Sequence, residues 1–123
     1  MPPGRNWAAI AGLNVTPPPN QALQDLVLLV GDEATKEIVR LFLQSFPESI
    51  RDMAGSARPD QIRIAHGLKS SALHMGADQL ARQMSEVEAR LSVPGSVFAP
   101  GDLSPATDEF EAFAADLRRY VQG

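Results

Sequence analysis

From Gln21 onward, apolar residues return at three- and four-residue steps in runs separated by glycine and proline, the signature of amphipathic helices joined by short turns. Leu23, Leu26, Val27 and Val30 predict a short first helix ended by Gly31. Asp32 is positioned to cap the next, in which Ile38, Leu41, Phe42, Phe46, Ile50 and Met53 share one face. Pro47 lies inside that pattern and should bend the helix rather than end it. Gly55 and Ser56 break the period. Pro59 suits the first turn of a third helix from about Arg58 to Met75, which Gly76 closes. Leu80, Met84, Val87 and Leu91 form the seam of a fourth helix packed at shallow angles. The stretch from Ser92 to Pro105 holds Pro94, Gly95, Pro100 and Gly101 and reads as a loop. Ser104 and Pro105 form a cap and first turn for a last helix whose buried stripe is Phe110, Phe113, Leu117 and Tyr120 or Val121.

No segment sustains the two-residue alternation of a strand, so the expected fold is all-α: an antiparallel four-helix bundle with an additional short N-terminal helix or segment. Residues 1–20 are set apart as a Pro-rich lead-in by Pro2, Pro3 and the Pro17-Pro18-Pro19 run, leaving 21–123 as the domain. Within the lead-in, Trp7, Ile10, Leu13 and Val15 are expected to fold back on the bundle, because a Trp left in water forgoes the burial of a large apolar surface.

Length and charge narrow the functions. A chain of 123 residues accommodates one compact domain, not a catalytic domain beside a regulatory one. Eleven Lys and Arg against fifteen Asp and Glu leave no basic surface for nucleic acid. With no cysteine there is no disulfide, thiolate metal site or thiol nucleophile. The longest apolar runs, Leu26 to Val30 and Ile38 to Leu43, are too short to cross a bilayer, and the N-terminus lacks a signal-peptide pattern. A cytoplasmic protein without a membrane partner is expected. No glycine-rich phosphate loop with a following Lys-Ser or Lys-Thr is present, so ATP-dependent kinase activity is not expected, nor any cofactor of the chain's own.

The third helix carries the candidate chemistry. At about 100° per residue, Ile64, Leu68 and Met75 fall within one arc, with Ser71 at its edge, and this arc should face the core. His66 falls on the opposite side. Lys69 and Ser70 follow it at three and four positions, and Ile62 and Leu73 lie one and two turns away, so a nucleophile, a cation and two apolar residues share an exposed face. A neutral imidazole near pH 7 is a good nucleophile for a phosphoryl group, and a neighbouring ammonium offsets part of the charge such a group brings. Gly67 and Ser70 are small enough for a partner's backbone to come close.

The segment Ala65-His66-Gly67-Leu68-Lys69-Ser70-Ser71-Ala72, with Met75-Gly76-Ala77, Leu80 and Glu88 further on, resembles the signature of histidine phosphotransfer (HPt) domains of bacterial phosphorelays. The Gly31-Asp32-Glu33 turn and the helix bearing Leu41-Phe42-Leu43 and Phe46-Pro47-Glu48 extend the likeness over roughly residues 22–91. Ser70 departs from it, because that position is usually Gly. The resemblance implies a phosphocarrier that accepts a phosphoryl group on His66 from a receiver aspartyl phosphate, or from a kinase, and passes it to a response-regulator Asp. Lys69 would stabilise the phosphoryl charge, and Ile62, Gly67, Ser70 and Leu73 would dock the partner. The implied partners are receiver domains and a sensor or hybrid histidine kinase, with magnesium held by the receiver and the HPt chain monomeric.

Two other classes compete with this reading. One is a binding module of the same fold that regulates a receiver or kinase without being phosphorylated. The other is a hydrolase or metal-site bundle, which lacks carboxylates and histidines facing a common core. Among the remaining polar residues, His74 reads as a surface residue and Ser71 as a hydrogen-bonded helix serine. Glu86, Glu88 and Arg90 read as a solvated face, and Asp108, Glu109 and Glu111 as complements to a helix dipole.

Overall fold

The computed structural model describes residues 16–123, and the expected fold-back of Trp7, Ile10, Leu13 and Val15 lies outside them. Five α-helices are present among the described residues, with no strand: α1 Gln21–Val30, α2 Asp32–Ala54, α3 Arg58–His74, α4 Asp78–Leu91 and α5 Ser104–Gln122. A short 3₁₀ turn, Pro100–Leu103, leads into α5. Around the bundle α2 packs on α3, α3 on α4, α4 on α5 and α5 back on α2, while α1 leans on α2. The three-residue connections after α2 and α3 leave only the antiparallel neighbour within reach.

The core is built where these stripes meet. Leu80, Met84, Val87 and Leu91 of α4 are all buried, as their spacing requires. On α3 the buried arc is Ala65, Leu68 and Ala72, continued by Met75 just past the helix end, and Ile64 is only partly buried. The small alanines let α4 approach α3 closely, which turns the larger Ile64 toward the α2 side. On α2 the inward residues are Thr35, Val39, Phe42, Phe46 and Met53, so the expectation that Ile38 and Leu41 face the core is overturned. Both are exposed, on the part of α2 that its contacts with α3 and α5 leave uncovered. Phe46 stacks on Phe110 with ring centroids 4.8 Å apart, and Phe42 tilts against both, locking α2 to α5. Rings this deeply buried stabilise the fold by roughly 2–3 kcal/mol each.

One end of the bundle is tied by polar contacts that differ from the expected caps. Asp32 does not cap α2. Gly31 occupies the cap at φ 94°, and Asp32 instead accepts a 2.7 Å hydrogen bond from the Tyr120 hydroxyl and pairs with Lys36 at 3.3 Å. Burial and the Asp32 carboxylate together push the Tyr120 phenol well above its ordinary value. Asn20 caps α1 by accepting from the Leu23 amide at 2.9 Å and donates to the Met75 carbonyl at 2.8 Å, so it also closes α3. Gly76, at φ 78°, lies against Asn20 so closely that a Cβ there would collide with its side chain. At the other end Arg58 donates to the Leu91 carbonyl, the Ser96 hydroxyl and the Ser96 carbonyl at 2.9 to 3.1 Å, pinning the loop after α4. Ser104 makes no side-chain cap, since the 3₁₀ turn feeds directly into α5.

Candidate functional site

The α3 helix starts with Pro59 in its first turn and Asp60 beside it, both suited to a helix N-terminus, and ends at the Met75–Gly76 turn. Between them Ala65 and Leu68 anchor the inner face, which fixes His66 on the outside with its side chain 64% exposed. Across the seam between α3 and α4, Glu88 brings Oε2 to 3.1 Å from His66 Nδ1. Glu88 is therefore not part of a solvated face, as its sequence neighbours suggested. Its side chain is only 25% exposed and turns toward α3. Val87 and Leu91, buried on either side, set that rotation.

A carboxylate only accepts, so the imidazole nitrogen facing Glu88 carries the proton in the neutral ring. Nε2 is left with its lone pair, pointing away from Glu88. Lys69, one turn along, is partly buried, and Ser70 is exposed. An added Cβ at Gly67 would meet nothing within 4 Å, so no packing among the described residues requires glycine there. A groove of about 260 Å³ starts at Gly67 and runs between α3 and α2, lined by Phe42, Ser45, Phe46, Ile64, Leu68 and Ser71 among others.

The two expected docking residues differ. Leu73 is 50% exposed on α3. Ile62 is partly buried and packs against the core, so it presents less apolar surface than its helical position suggested. His74 is exposed, and among the described residues no group of three His, Cys, Asp or Glu side chains is arranged to hold a metal ion. No helix among the described residues is long and apolar enough to cross a membrane.

Of the two exposed histidines, His66 is the one held at Nδ1 by a carboxylate from the next helix. The Hpt domain family matches residues 37–122, and the chain belongs to that family, whose members act in histidine phosphotransfer in phosphorelays. Comparison with curated proteins and with solved structures gave no match. The Hpt match takes in α3, α4, α5 and all but the first turn of α2, and hence both His66 and Glu88.

Proposed function

We propose that the chain is a phosphocarrier in which His66 accepts a phosphoryl group from a receiver aspartyl phosphate, or from a histidine kinase, and returns it to a response-regulator Asp. The observation that carries this reading is the exposed imidazole of His66 with its Nδ1 held by Glu88. Nε2 attacks phosphorus, the N–P bond forms, and the acyl phosphate P–O bond breaks with its electron pair left on the receiver carboxylate. The ring gains positive charge as the bond forms, and Glu88, already on the Nδ1 proton, offsets it without rearrangement. Lys69, one turn along α3, is the cation this reading assigns to the phosphoryl oxygens, which an ammonium hydrogen-bonds. The receiver contributes the acidic pocket and its magnesium, while this chain contributes the nucleophile, a cation and a docking surface.

The groove that opens beside Gly67, and Leu73 two turns along α3 from His66, give a receiver apolar ground on the face that carries the reactive nitrogen. Incubation with phosphorylated receiver domains tests the reading: label should leave the receiver and appear on this chain as acid-labile phosphate. A receiver that binds but never transfers would instead mark a regulatory binding module of the same fold.

A further inference from the structure

The ridge of α3 that carries His66 has two different flanks. Toward α4 lie Ala65 and Ala72, both buried, and Glu88 reaches His66 Nδ1 from that side. Toward α2 lie Gly67, Ser71 and His74, which line clefts together with Phe42 and Ser45. At about 100° per residue, Lys69 falls on the α4 flank, about 60° from His66, and Ser70 on the α2 flank, about 40° from it. Exposure agrees with this placement: Lys69 is partly buried and Ser70 is exposed. Because Glu88 holds Nδ1 on the α4 side, Nε2 is directed toward the flank that carries Ser70.

We infer that Ser70 is a phosphoryl-binding residue: its hydroxyl donates a hydrogen bond to a nonbridging oxygen of the phosphoryl group on His66 Nε2, on the flank opposite Lys69. Side chains four residues apart on a helix are neighbours, with Cβ atoms about 5–6 Å apart. The hydroxyl is also available. Thr35, Ser56 and Ser92 each donate to the carbonyl four residues earlier at 2.6 to 2.8 Å, whereas among the described residues Ser70 makes no such bond to the His66 carbonyl. A phosphoryl group brings close to two negative charges and three strong acceptor oxygens. The ammonium of Lys69 comes to them from the α4 flank. On the α2 flank the nearest residues of α3 are Gly67, which has no side chain to offer, and Ser70. A hydroxyl donating to a charged oxygen makes one of the stronger hydrogen bonds. In a loose, metaphosphate-like transition state the departing phosphoryl oxygens carry less charge, so this bond holds the phosphohistidine more tightly than the transition state for its hydrolysis. Ser70 thereby lengthens the life of the carrier between donor and acceptor. This role rests on the phosphotransfer reading.

Phosphoramidate tests it without a protein partner: Nε2 attacks phosphorus, the N–P bond to the imidazole forms, and the P–N bond of the reagent breaks as ammonia leaves. The full chain carrying His74→Gln keeps His66 as its one histidine, and phosphorus NMR then follows a single phosphohistidine. Adding Ser70→Ala should make that phosphohistidine hydrolyse roughly threefold to tenfold faster at neutral pH, the equivalent of a charged hydrogen bond weakened by solvent. The second ionisation of the phosphoryl group should also move to higher pH, because the donor that favoured its dianion is gone. Ser71→Ala removes a hydroxyl from the α2 groove instead and should keep both properties unchanged. Lifetime and ionisation unaltered by Ser70→Ala overturn the inference, as does an equal change in Ser71→Ala or a chain that takes no label from phosphoramidate. A phosphorylated receiver that fails to transfer to a chain which phosphoramidate labels speaks against the phosphotransfer reading, while the lifetimes still decide the part of Ser70.

Discussion

Glu88 Oε2 stands 3.1 Å from His66 Nδ1, across a separation of 22 residues that spans the turn between α3 and α4. The pairing fixes which imidazole nitrogen is free to react. Glu88→Ala should move the neutral ring toward protonation at Nε2, visible in nitrogen chemical shifts. It should also slow phosphoryl uptake by about tenfold, the equivalent of one modest charged hydrogen bond. Unchanged shifts together with an unchanged rate would show that the contact orients nothing.

Lys69 shares the His66 face one turn along α3. Lys69→Ala should leave the phosphoryl acceptor in place and shorten the life of the phosphohistidine or slow transfer, with solvent screening limiting the effect to roughly 1–2 kcal/mol. Wild-type rates in both directions and a wild-type lifetime would remove this ammonium from the mechanism.

Leu73 is half exposed, so a carboxylate placed there stays in water. Leu73→Asp should weaken receiver binding by about 1–3 kcal/mol with little change in melting temperature. A large fall in melting temperature, or unchanged affinity, would show that this residue is not docking surface.

The Tyr120 phenol is raised above its ordinary value by burial and by its hydrogen bond to Asp32. The unfolded chain therefore loses this proton at lower pH than the folded one. Stability linked to it is intact below about pH 10, the ordinary tyrosine value, and falls as pH climbs from there toward the folded value. Alkaline titration should show phenolate absorbance appearing together with the loss of helical signal. Phenolate formed near pH 10 in a fully helical protein would contradict the buried network.

Much of this architecture was legible in the sequence because helix boundaries are local. Gly31, Gly55, Pro59, Gly76 and the Pro-Gly loop mark the breaks, and Leu80, Met84, Val87 and Leu91 lie on their seam as spacing requires. What was not legible depends on neighbours. Ile38 and Leu41 fit a buried stripe as well as Val39 does, and only the positions of α3 and α5 decide which side of α2 is covered. Asp32 has the chemistry of a cap, but the Tyr120 hydroxyl, 88 residues later, takes its carboxylate. Glu88 shows the same limit at the site. Its place in the familial spacing was noticeable, but its contact with His66 comes from the packing of α4 on α3, which no local pattern reports. Two leucines, a methionine and a valine at α4 spacing are the signal that could have found it, since they orient the helix and leave Glu88 facing the seam.

The central claim is that phosphoryl groups pass through His66. Wild-type chain and His66→Gln should be mixed with a phosphorylated receiver and the site of label determined by mass spectrometry under neutral conditions. The account predicts acid-labile phosphate on His66 in the wild type and none in the variant, whose helical content and melting temperature stay near wild type because the residue faces solvent. Equal labelling of the folded His66→Gln chain, or label found on His74 or any other residue, would contradict it.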